Sequence, residues 1–467
     1  MKVQNRLARQ SSVALGFFAC LFSPHAYADY GVEVPNQESV SLTLSVKQAV
    51  EHALARNPTV MNDKEYLNEA DENKNLAISL LFPTINGVAS AYIQKDAVNT
   101  NTSGNVPYNG SPFNNYLAQL QFTQPLYRGG ALLAGLSYAK KDKEIHQYTL
   151  DIEERNLSVQ VIQAFYNVFT NKQAWEKLLE NEKVEKESLV TTERYYRIGR
   201  AQLLDVLQIK SQIALLEPQI TTAENQMRSS ISQLVSLMHE GKATTVNLVG
   251  SLAAVDLSTV KALVPARQKL PEISQGELTI SQFVDKSDVT MSTYNPSMNL
   301  QGTFGQTSTT NSDLFSGLAT GWTIGVYLTI PLFTGLGSID QRKSLDSQTA
   351  QLEYGQAQLL DSLALTQVQA EQTLDTAAKV LEGSKEAAVL SRASLKEAQR
   401  EFKIQTINLL QLLTSETADL TAQVAYVQSK GSYLGALATF CQATGIPIEK
   451  LVDILDSVKS TRDDNVL

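Results

Sequence analysis

The side chains that most often carry chemistry are sparse here: four histidines and two cysteines in 467 residues. His52, His146 and His239 stand far apart, with no H-E-x-x-H pair to hold a metal. The chain has no glycine-rich phosphate loop, no G-x-S-x-G nucleophile and no cysteine pair. The histidines read as surface residues and Cys441 as a small side chain packed on a helix. No catalytic residue, metal ligand or cofactor is expected, so function has to come from shape.

The shape is announced by Gln124-Pro-Leu-Tyr-Arg-Gly-Gly130. Before it, Tyr116, Ala118, Leu120 and Phe122 alternate with Gln119, Gln121 and Thr123, the period of a strand with one apolar face. After it runs a proline-free tract rich in Ala, Leu, Glu and Lys, which is helix composition. Pro125 cannot donate to a sheet ladder, and Gly129 and Gly130 tolerate backbone angles that other residues resist. The segment is a strand-to-helix junction.

The junction recurs 206 positions later as Ile330-Pro-Leu-Phe-Thr-Gly-Leu336, with Pro331 and Gly335 in the places of Pro125 and Gly129. At that offset the outward-reading face repeats as Trp322, Ile324, Val326 and Leu328. Tyr196-Arg-Ile198 falls on Phe402-Lys-Ile404, and Leu203, Leu204 and Leu207 fall on Leu409, Leu410 and Leu413. The chain is two copies of one unit.

Residues 1–28 have a basic start, an apolar centre and Ala26-Tyr-Ala28 before a cut at Asp29, the pattern of a secretory signal. A membrane anchor needs an apolar run about twice as long. Lipoprotein processing at Cys20 lacks its usual leucine. Removing Lys2, Arg6 and Arg9 leaves 36 basic against 48 acidic side chains, a net charge of −12 that disfavours nucleic acid as a partner. Cys441 is then the last cysteine, so no internal disulfide is expected.

The first repeat spans 41–240, with a strand hairpin over 85–125 and helical rods over 58–81, 131–198 and 202–239. Pro218 should kink the last rod or end it. A mixed equatorial segment, 241–271, leads to the second repeat, 272–445, with a hairpin over 298–330 and rods over 338–402 and 408–444. The stretch before its first strand, 287–295, is too polar to predict a rod, and 446–467 reads as a tail. About ten residues per strand suits a tilted membrane strand. The 131–198 rod would reach roughly 100 Å at 1.5 Å per residue, with apolar steps of 3, 4 and 7 as in coiled coils.

In this layout, in QPLYRGG and IPLFTGLG after amphipathic strands, and in YYRIGRAQLLDVL at the first helix turn, the chain resembles the TolC family of outer membrane channels over about 41–445. The resemblance implies a fold mainly α with membrane β: a homotrimer in which each chain lends four strands to a twelve-stranded barrel, continued by an α-helical barrel across the periplasm. It implies an exit duct of a tripartite efflux or type I secretion system, working with a periplasmic adaptor, an inner membrane transporter and outer membrane lipid. Tyr116, Leu120, Phe122, Trp322, Ile324, Val326 and Leu328 would then face lipid.

The family closes its periplasmic mouth with tyrosine, arginine and aspartate contacts. Matched by position, the second tip has Phe402, Ile407, Gln411 and Thr414, none of the family's type. The first tip keeps Tyr196 and Gly199, with Asp205 where an aspartate belongs and Arg197 and Arg200 beside it. A polar latch is therefore expected from Arg197, Arg200 and Asp205, with Gln411 adding hydrogen bonds; a plain solvated charge cluster is the alternative. The rival to a channel is a periplasmic coiled-coil adaptor or stalk. The acidic excess points to a cation-preferring lumen.

Overall fold

A computed structural model describes residues 41–95, 112–241, 245–249, 252, 270–308, 320–404 and 406–457. The leader, both hairpin loops and most of the equatorial segment lie outside the described residues.

A short strand β1 (Ser41–Leu44) leads into helix α1 (Val46–Arg56), whose first turn is closed by Ser45 and Gln48 each accepting from the other's backbone N–H. It buries Val46, Ala49, Val50 and Ala53 on one face. Asn57 caps α2 (Pro58–Ser79) by accepting from Thr59 N at 2.9 Å, with Pro58 opening the helix where its missing N–H costs nothing. The hairpin of β2 (Thr84–Gln94) and β3 (Phe113–Arg128) follows, then α3 (Ala131–Arg197) and α4 (Leu203–Leu237). Strand β4 (Thr245–Leu248) pairs parallel with β1.

The second copy opens with α5 (Pro271–Met291) and a 3-10 turn (Ser292–Tyr294). Strands β5 (Ser297–Ser308) and β6 (Thr320–Thr329), then α6 (Gly337–Lys403) and α7 (Leu409–Thr444), complete it. The two copies coincide in register. Helices α3 and α6 are both 67 residues, roughly 100 Å of rod, and α3, α6, α4 and α7 all begin at the 206 offset.

Four expectations need correction. The polar stretch 287–295 is helix as far as Met291, the end of α5, and a 3-10 turn to Tyr294; the earlier turns of α5 pack on α3 through polar contacts. Lys141 Nζ meets Asp285 at 2.7 Å, Gln282 donates to Asp142 at 2.8 Å, Gln275 to Thr149 at 2.7 Å, and Arg155 pairs with Glu272. Helix α4 does not end at Pro218, which sits exposed within it. Strand β3 does not stop at Pro125 but continues to Arg128 across a bulge. The segment after Gly445 holds a further helix, α8 (Ile448–Ser457), which packs on α1, buries Leu451, Val452 and Leu455, and places Asp453 2.8 Å from Lys47.

The main core lies where α1, α3, α7, α8 and the end of α4 converge, around Ile162, Phe165, Leu234, Met238, Leu437 and Leu451. Truncating Phe165, 1 % exposed, would cost about 3–5 kcal/mol. Cys441 is fully enclosed there, and burial pushes its thiol up to about 12, so it is an inert packing residue.

Candidate functional site: a two-faced sheet and two helix tips

The four long strands form one antiparallel sheet in the order β2-β3-β5-β6. Directly opposed residues share a face, so the register assigns every side. Ile85, Leu120, Phe304 and Trp322 belong to one face, since Ile85 shares β2's parity with Gly87, Gly87 opposes Leu120, Leu120 opposes Phe304, and Phe304 opposes Trp322. Tyr116, Phe122, Ile324, Val326 and Leu328 are on it too. Asn86, Gln121, Thr303 and Thr323 lie on the opposite face, where the Thr303 and Thr323 hydroxyls are 2.7 Å apart. Trp322 is 72 % exposed, so the described residues leave the apolar side uncovered there. Neither β2 nor β6 has a partner on its outer edge among the described residues.

Below the sheet the junctions turn in left-handed backbone. Gly129 and Gly130 have φ of +59° and +96°, and a Cβ on Gly129 would collide with the Ser292 carbonyl and the Asn295 side chain. Asn295 Nδ2 donates to Gly129 O at 3.0 Å, tying the start of α3 to the end of α5. In the second copy Gly335 has φ +65°, and the position equivalent to Gly130 is Leu336, also at φ +65°. Pro125 is buried at its junction and Pro331 is half-buried at the other.

At the far end each helical pair turns tightly, the first through Gly199 at φ +74°. Each returning helix is then capped by the same device. Asp205 Oδ2 accepts from Gln202 N at 2.8 Å; 206 residues later, Gln411 Oε1 accepts from Asn408 N at 3.1 Å, and Gln411 N donates to Asn408 Oδ1 at 2.9 Å. Asp205 and Gln411 thus serve as the third residues of capping boxes. Among the described residues no ion pair joins Asp205 to Arg197 or Arg200. Arg197 Nε donates to Glu193 O at 3.4 Å. Phe402 packs against the apolar cluster of Ile209, Leu395, Leu409 and Leu413.

Of the expected tip residues, Gly199, Arg200, Asp205 and Phe402 line one cleft of about 840 Å³ between the two turns. Tyr196 and Arg197 project outside it, and Thr414 lies farther along α7, its hydroxyl donating to Leu410 O at 2.8 Å. The histidines do not converge. His52 Nδ1 is 3.5 Å from a Glu240 oxygen, His146 stacks on Tyr66 at 6.0 Å, and His239 lies just past the end of α4.

Sequence reasoning missed a buried polar layer behind the tips. Glu185 on α3 and Glu416 on α7 are enclosed, and Asp419, also buried, lies 3.3 Å from Arg392 Nε and accepts from Ser391 Oγ at 3.3 Å. The signal was present. Leu150, Leu157, Ala164, Leu178 and Glu185 are buried on one seven-residue stripe, so Glu185 occupies a seam position.

Among the described residues no helix is long and apolar enough to cross a membrane. The model for outer membrane efflux proteins matches residues 49–239 and 262–446, both copies of the unit. The outer membrane protein VceC of Vibrio cholerae superposes with a TM-score of 0.72 at 16 % identity, covering 86 % of this chain and 96 % of that one. The CmeC outer membrane channel of Campylobacter jejuni gives 0.73 at 17 %, covering 90 % and 88 %. The open-state MtrE outer membrane channel of Neisseria gonorrhoeae gives 0.71 at 16 %, covering 86 % and 88 %. No match is found among curated protein sequences.

Proposed function

We infer function from one premise: the chain belongs to the outer membrane efflux protein family. It is an exit duct of the outer membrane, and it works by conduction without chemistry.

The observation that carries this reading is the sheet, apolar on one face, polar on the other, with two edges unpaired among the described residues. Four strands cannot close around a pore, and an open edge leaves backbone groups unsatisfied in lipid. Three copies joined edge to edge, β6 of one beside β2 of the next, would close a twelve-stranded barrel with its apolar side outward. The α3–α4 and α6–α7 pairs would extend that ring into a helical wall through the periplasm. Transport energy would then come from an inner membrane transporter, reached through a periplasmic adaptor that meets the helix tips.

A coiled-coil adaptor or stalk would have no use for a sheet apolar on one side and exposed. Single cysteines at Ile324 and Thr323, neighbours on opposite faces, test the assignment in intact outer membranes. Thr323→Cys should react with a water-soluble thiol reagent while Ile324→Cys reacts only with a membrane-permeant one. Equal reaction of both with the water-soluble reagent refutes the two-faced barrel.

A further inference from the structure

We propose that Arg128 sets the ionic preference of the duct at the throat where sheet gives way to helix, drawing anionic solutes into a passage whose acidic excess would otherwise favour cations. The proposal rests on the conduit reading above.

Arg128 is the sole charged residue in the four described strands of the sheet. Its side of the sheet is decided by the bulge. Up to that point the even-numbered residues of β3 take the apolar face, with Leu120 opposite Phe304 and Phe122 opposite Gly302. Continued unchanged, that alternation would put Arg128 against lipid, where a guanidinium is costly. Instead Pro125 opposes Asn299, Leu126 is the extra residue, and Tyr127 opposes Met298. One inserted residue reverses the parity.

Tyr127 therefore joins Met298 and Leu328 on the apolar side, suited to the membrane boundary, while Arg128 joins Ser297 and Thr329 on the polar side. Pro125 fits the irregular site because it has no N–H to lose from the ladder. Arg128 is exposed and has no ion-pair partner among the described residues. The second copy carries Thr334 at the equivalent position, so a trimer would hold one guanidinium per chain in a ring. Arginine stays ionised at any working pH, and above it the polar face offers uncharged Asn, Gln, Ser and Thr side chains. A fixed cationic ring at the end of strands that carry no other charge among the described residues dominates the local field.

The test is the reversal potential of the full-length protein in a planar bilayer under a potassium chloride gradient. Arg128→Lys should match the wild type. Arg128→Gln should raise the ratio of potassium to chloride permeability by about twofold, and Arg128→Glu by more. In Arg128→Cys, a cationic thiol reagent should return the ratio toward the wild type and an anionic one should drive it away, with the reagents inert on the wild type. An unchanged ratio in the Gln and Glu variants and after both reagents overturns the assignment. If the wild type itself forms no pore, the conduit reading falls, and this assignment with it.

Discussion

Glu185 of α3 and Glu416 of α7 meet carboxyl to carboxyl inside the helical wall, 0 % and 1 % exposed. They lie between the tip cluster of Leu189, Leu412 and Leu413 and the cluster of Leu178, Leu216 and Leu420. Two ionised carboxylates can only accept, so a hydrogen bond between them requires that one keep its proton. Burial raises both, and for Glu416 the neighbouring Glu185 charge adds to burial, pushing it up to about 8.

That proton makes the wall sensitive to alkali. Because the folded pKa of Glu416 lies above the ordinary glutamate value of 4.5, the folded state binds the proton more tightly than the unfolded chain. The stabilisation is therefore complete below about 4.5 and lost as pH rises through about 8, on the order of a few kcal/mol. Thermal unfolding in detergent should show a midpoint that falls across this window in the wild type and falls less in Glu416→Gln. Equal pH slopes for the two proteins would remove the pair as the cause.

Leu336 offers a second prediction, because it holds the left-handed backbone that Gly130 holds in the first copy. It is exposed, so its side chain contributes little packing to offset the strain. Leu336→Gly should stabilise the protein by about 0.5–1 kcal/mol, and Gly130→Leu should destabilise it by about 1–2 kcal/mol. Denaturant midpoints measure both. A loss of stability in Leu336→Gly would show that the leucine is held by contacts outside the single chain.

At the tips, charge and capping can be separated. Asp205→Ala should cost about 1 kcal/mol through the lost cap, and it should raise resting conductance in a planar bilayer if Asp205 also holds the mouth shut. Arg200→Gln spares the cap, so it should raise conductance with no change in stability. Resting conductance unchanged in both variants would reduce the cluster to solvated charge.

The parts of this fold that sequence exposes are those set by local backbone chemistry. Pro125 with Gly129, repeated as Pro331 with Gly335, marks both junctions without reference to distant contacts. Helix α5 was hidden by the polar stretch at its end, and its contacts with α3 are partly polar, as where Asp285 meets Lys141. Helix α8 was hidden by its brevity, being 10 residues long. Phe402 was legible as a tip residue by position, whereas its packing against Leu409 and Leu413 required the geometry of the turn. The side that Arg128 takes was not legible, since the bulge after Pro125 depends on pairing with Asn299 and Met298, far away in sequence. Asp205 and Gln411 were legible as tip residues, whereas their capping role required the geometry of the turns.

The central claim is that the chain completes its sheet only by borrowing identical neighbours. Native mass measurement of the particle extracted from the outer membrane in mild detergent tests it most directly. A particle of three copies of the chain is the predicted result. A stable single-chain particle would contradict it.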